Sequence, residues 1–235
     1  MAMCKRIIYA LFFVIGPLAA VLGQRDTQNK YGLHTVSSIQ QYDSLVKHDA
    51  RQRLVALDGF IPDLRLDIRY ATADNLMKRP VYSTTAAFLR LPAAQALKAV
   101  QEELKGMGYG LKVFDGYRPY RVTVEFYEKF LDTVFVASPY RGSRHNRGCA
   151  VDLTIIHLKT GQELSMPTPY DSFTKKAHTN YKHLPAKVIS NRELLKRVML
   201  KYGFLVYPDE WWHFDFNEWK SFPITDIPFE DLEPQ

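Results

Sequence analysis

Residues 149–158 read CAVDLTIIHL, a β-branched, apolar run with one carboxylate set inside it. Such a run predicts a strand buried in a sheet. Asp152 then constrains whatever surrounds it. A buried carboxylate is costly unless it is paired or bound to a metal, so the fold must bring it a partner. His145 lies seven positions earlier, in the polar segment SRHNRG. Gly148 and Ala150 between them are small, which lets the loop carrying His145 fold back toward the strand. A second stretch, DEWWHFDF (209–216), sets Glu210 and His213 three positions apart among aromatics.

The other periodic segments frame these two. Residues 64–72 alternate apolar and polar, as a half-buried strand does. Residues 91–108 predict a helix, with Pro92 in its first turn, an apolar stripe of Ala93, Leu97, Val100 and Leu104, and Gly106 or Gly108 at its end. Residues 111–116 predict a strand entering a turn, and 118–131 a second helix. Residues 190–204 predict a third helix, capped by Ser190 or Asn191 and stopped at Gly203. Residues 204–216 predict a strand region broken at Pro208. A short helix is expected near 38–48. Strands and helices alternate, but no Gly-rich phosphate loop follows any strand. The expected fold is α+β, with a mostly antiparallel central sheet flanked by helices.

The first 23 residues differ from the rest. Lys5 and Arg6 precede an apolar run from Ile7 to Leu22, and small residues follow at Val21 and Gly23. That order predicts a signal peptide over 1–23 and a periplasmic or secreted mature protein without a membrane span. A polar lead-in over 24–52 and a single catalytic domain over 53–235 would follow. Cleavage removes two cations and no acid, so the formal charge falls from +6 to +4. With no basic run or stripe, nucleic-acid binding is not expected. Only Cys149 remains after cleavage, so no internal disulfide can form.

Two histidines and a carboxylate, with a second carboxylate close by, are what a catalytic zinc site needs. Such sites use three protein ligands and leave the fourth position to water. His145, Asp152 and His213 are the candidate ligands for one Zn²⁺ per chain, although imidazole and carboxylate donors also suit other divalent ions. Glu210 is the candidate general base and acid, with Trp211 and Trp212 walling the site. Taken alone each signal is weak: a single His is usually a surface or core residue, and a Trp pair usually core. Their combination carries the reading. In FDGYRP (114–119), Arg118 sits at a strand-to-helix junction, where a fixed guanidinium can stabilise an oxyanion.

The segments SRHNRGCAVDLT, EWWHF and DGYRP together resemble the zinc D-alanyl-D-alanine dipeptidases, in that family's order. DIRYATADNLMKRPVY (67–82) is similar to its N-terminal segment, and MPTPYDSF (166–173) to a loop ending in an aromatic–Asp pair. The likeness covers roughly residues 55–220. It implies a hedgehog and D,D-peptidase type of zinc fold and hydrolysis of a small dipeptide, D-Ala-D-Ala. It implies zinc ligands at His145, Asp152 and His213, a general base at Glu210 and a transition-state stabiliser at Arg118. It also implies that Asp171 holds the substrate ammonium, with Tyr70 and Ser143 as further substrate contacts. Pro167, Leu76 and Cys149 depart from the family pattern, which has Gly, Phe and a small Ser or Ala there. A D,D-carboxypeptidase with the same zinc chemistry is the near alternative. A non-enzymatic zinc domain is the remote one, since it needs neither Glu210 nor Arg118.

Overall fold

The computed structural model describes residues 29–131 and 136–232. The expected signal peptide lies outside the described residues. Along the chain come α1 (Ile39–His48), β1 (Leu54–Ala56), α2 (Leu57–Phe60), β2 (Arg65–Leu66), β3 (Phe88–Arg90) and α3 (Leu91–Lys105). Then follow β4 (Tyr109–Asp115), α4 (Tyr120–Phe130), β5 (Ala150–His157), α5 (Ala186–Lys201), β6 (Phe204–Tyr207) and β7 (Glu210–Phe216). Among the described residues no helix is long and apolar enough to cross a membrane.

A five-stranded sheet in the order β2-β4-β5-β7-β6 forms the centre, and β1 pairs with β3 in a separate two-stranded sheet. Only β2 runs parallel to its neighbour; the other pairings of the central sheet are antiparallel. This is the mixed, mostly antiparallel architecture expected from the sequence. Helices α3 and α5 pack on β4 and β6 and on each other. The predicted stripe of α3 is wholly buried at Ala93, Leu97, Val100 and Leu104.

Side chains alternate across a strand, and β5 uses both faces. Val151, Leu153 and Ile155 join the core that holds the stripes of α3 and α5. Asp152 therefore points the other way. Register decides what it meets there. An irregularity between Val113 and Asp115 shifts β4, so that Asp115 and not Phe114 stands opposite Asp152. On its other flank Asp152 pairs with His213 of β7. Asp115, Asp152 and His213 thus form one row across three strands, which a one-residue slip would break.

Two local expectations are corrected. Residues 64–72 are not a strand: only Arg65–Leu66 pairs, and Arg69–Ala71 is a 3₁₀ turn that buries Tyr70. Alternation there reflects a segment lying on the core rather than a ladder. Helix α5 begins at Ala186 after Pro185, not at a Ser190 or Asn191 cap. Asn191 is instead buried and its side-chain amide donates to the Ser165 carbonyl, 2.9 Å. A proline supplies the helical φ without needing a donor, so the earlier start needs no side-chain cap.

Candidate active site

The site begins with the Asp115–Asp152–His213 row. His145 joins it from a 3₁₀ turn, His145–Arg147, that leads into β5. Gly148 ends that turn in the left-handed region, at φ 67°. A Cβ at Gly148 would come within 2.5 Å of the Leu54 side chain, so both space and backbone require glycine. The turn is fastened on each side. Arg118 N–H donates to the His145 carbonyl at 3.1 Å, and the fully buried Arg90 donates through Nε to the Arg147 carbonyl at 2.9 Å.

His145 Nε2, Asp152 Oδ1 and His213 Nδ1 then converge. Their separations are 3.0 Å (His213–Asp152), 3.2 Å (His145–His213) and 3.5 Å (His145–Asp152). Tetrahedral coordination at the usual zinc–ligand bond lengths puts ligand atoms about 3.3 Å apart. The outer polar atom of each group explains its orientation. His145 Nδ1 donates to the Gly116 carbonyl at 2.7 Å, and His213 Nε2 donates to Asp215 Oδ1 at 2.9 Å. With both rings neutral, those partners place the ring protons on the outer nitrogens and turn both inner lone pairs toward Asp152. Asp152 Oδ2 accepts from the Tyr170 hydroxyl at 3.0 Å. Three lone pairs facing one point are mutually repulsive unless a cation sits among them. The donor set and its spacing therefore fit a divalent metal.

The charges respond to this crowding. Burial pushes the Asp152 carboxyl up, but the imidazoles of His145 and His213 outweigh it and hold it well below the carboxylate range. Burial would lower the His213 pKa, yet Asp215 and Asp152 raise it well above the ordinary imidazole value. Burial raises that of Glu210, against the pull of His213. Glu210 Oε2 lies 3.8 Å from His213 Nδ1, beside the metal position and outside the ligand triangle.

All eight side chains singled out from the sequence line one cleft of about 390 Å³: Tyr70, Arg118, Ser143, His145, Asp152, Asp171, Glu210 and His213. Arg118 is held by Asp115, which accepts from Nη2 at 2.6 Å and Nε at 3.2 Å. Its guanidinium also lies over the Tyr70 and Phe126 rings, at 5.1 and 5.0 Å. Burial opposes its charge, but Asp115 prevails and keeps it cationic. Asp171 occupies the left-handed region at φ 58° and accepts from the Tyr70 hydroxyl at 3.0 Å. Burial, reinforced by Asp152, pushes its pKa up to about 8. Ser143 Oγ accepts from the His145 N–H at 3.1 Å, so it caps the turn that carries His145 as well as lining the cleft.

A sequence profile of the family described as D-Ala-D-Ala dipeptidase matches residues 50–227. The chain belongs to that family. It is 31% identical over 171 residues to the D-alanyl-D-alanine dipeptidase of Escherichia coli K12, covering 73% of this chain and 88% of that relative. It is 32% identical over 196 residues to the same-named enzyme of Enterococcus faecalis V583, covering 74% and 95%. The solved structure of the LdcB LD-carboxypeptidase aligns at a TM-score of 0.39 and 21% identity, over 73% of this chain and 78% of that one. As a family member the chain is a metallopeptidase.

Several functional groups escaped the sequence reading. Asp215, Tyr170 and the Gly116 carbonyl orient the three candidate ligands, and Asp115 orients Arg118. Only Asp215 left a trace, two positions after His213 and so on the same face of β7. One expectation is corrected. Trp212 lines the cleft, whereas Trp211 is not among its lining residues and donates from Nε1 to Thr168 Oγ1 at 3.0 Å. Cys149 is a buried free thiol set in the core, not a ligand.

Proposed function

We propose that this protein hydrolyses D-Ala-D-Ala to two D-alanines with one Zn²⁺ held by His145, Asp152 and His213. The observation that carries this reading is the joint presence, in one cleft, of a triangle of donors that could hold a metal, the Glu210 carboxylate beside it and a further acid, Asp171. Zinc at the triangle supplies an acidified water and a Lewis-acid contact for the scissile carbonyl. Glu210 takes the proton of the attacking water and delivers it to the leaving amine nitrogen. Burial raises its pKa above the ordinary carboxylate value, which makes it a stronger base toward that water. Arg118, immobilised by Asp115, donates to the oxygen on which negative charge develops and needs no reorganisation to do so.

Asp171 and the Tyr70 hydroxyl oxygen hold the free ammonium of the substrate, whose charge offsets the burial and the Asp152 charge that otherwise keep the Asp171 proton in place. A carboxylate committed to that task favours the dipeptidase over the carboxypeptidase reading, because an acylated amine brings no charge to it. The basic and apolar order of residues 1–23 supports export, so the substrate would be dipeptide encountered outside the cytoplasm. The test is hydrolysis of D-Ala-D-Ala and of its N-acetyl form by the zinc-loaded protein. Turnover of the free dipeptide with little of the acetylated one is expected. No turnover of either, or equal rates, contradicts the reading.

A further inference from the structure

The proposed reading gives the substrate ammonium and scissile carbonyl their partners and leaves the C-terminal carboxylate without one. Four arginines line the cleft: Arg118, Arg141, Arg144 and Arg147. Arg118 is committed to Asp115. Arg147 donates through Nη1 to the Phe222 carbonyl, and Arg141 is exposed at the rim. Arg144 differs from all three. Among the described residues its guanidinium makes no hydrogen bond; its nearest acid, Asp215 Oδ2, lies 3.6 Å from Nε, beyond bonding range. Nε itself is shut off from water with no partner. Yet the side chain as a whole is 43% exposed, so its open surface lies on the rest of the group, facing the cleft.

Resting on the dipeptidase reading, we propose that Arg144 receives the α-carboxylate of the substrate's C-terminal residue and so selects peptides that end there. Placement supports it. Arg118, Tyr70 and Asp171 lie on the β4 flank of the metal-binding row, through Asp115 and the Tyr70–Asp171 hydrogen bond. Arg144 lies on the β7 flank, beside Asp215. A zwitterionic dipeptide centred on the metal position then meets an acid at its ammonium end and a cation at its carboxylate end. The guanidinium is also preorganised. It lies over the Trp219 ring, 4.9 Å from the centroid, which limits the rotamer freedom lost when a carboxylate docks. Asp215 is already engaged by His213 Nε2, so it only partly neutralises Arg144.

The rival role is structural: Arg144 could merely steady Asp215 and through it His213. Two probes separate the roles, D-Ala-D-Ala and D-alanyl-D-alaninamide, which differ only in the terminal charge. R144Q should lower kcat/KM on the acid roughly 10- to 100-fold, chiefly through KM, while the amide rate and zinc content hold. The acid-to-amide preference therefore collapses. R144K keeps the charge without the planar fork and should fall between. Equal losses on both probes, no loss on the acid, or weakened zinc binding with an intact preference overturns the proposal. If R144Q does not fold, an unchanged acid-to-amide ratio in R144K overturns it alone. Wild-type protein that binds zinc and cleaves neither probe defeats the dipeptidase reading, and this inference with it. Wild-type protein that cleaves both probes equally defeats only the inference.

Discussion

The half of the cleft proposed to hold the metal and the half proposed to hold the substrate are built differently. His213 and Asp152 stand opposite each other on paired strands, and the turn carrying His145 is fastened through its carbonyls by the Arg118 N–H and the Arg90 side chain. Each has a hydrogen-bond partner for its outer atom. Asp171 and Arg144 sit on loops. Asp171 is held by one phenol from a left-handed backbone position, and Arg144 by one indole face and a loose ion pair with Asp215. Chemistry is thus tied to sheet register, whereas recognition rests on a few loop contacts. Substitutions in the two halves should therefore fail in different ways.

The largest effect is expected at the proton carrier. E210Q should lower kcat roughly 10²- to 10⁴-fold while zinc stays bound, because Glu210 lies outside the ligand triangle; kinetics with metal analysis on the same sample checks it. Next comes the orienting shell. D215A frees the His213 ring and should weaken zinc binding roughly 10- to 100-fold, read by competition with a chelator. If D215A instead left affinity untouched and raised only KM, the division between the halves would be wrong.

The substrate half should respond through specificity. D171N should cost roughly tenfold in KM for D-Ala-D-Ala and erase the preference over the N-acetyl form, with kcat little changed. A smaller effect concerns stability. Asp171 is raised from 3.8 to about 8, so between those values the folded chain binds the extra proton and loses stability as pH rises. D171N lacks this loss. Its melting temperature should match wild type near pH 4 and exceed it increasingly toward pH 8, as thermal melts across that range would show.

Much of this division was legible in the residues. Asp152 announced itself as a carboxylate in an apolar run, and the α3 stripe gave its own burial. The substrate-side groups were legible only through family likeness, since nothing local marks Asp171 or Tyr70. What stayed hidden depends on register and loop path. The shift that sets Asp115 opposite Asp152 is a tertiary event, as is the settling of residues 64–72 onto the core rather than into a ladder. Nothing in the sequence marks Arg144; its place over Trp219 comes from the fold.

The central claim is that three separated side chains hold one divalent cation. The direct measurement is zinc content of the purified protein beside D152N, H145A and H213A. One zinc per wild-type chain, lost from each folded variant together with activity, is the predicted result. Full zinc retained in those variants, or folded wild-type protein that takes up none at saturating metal, would contradict it.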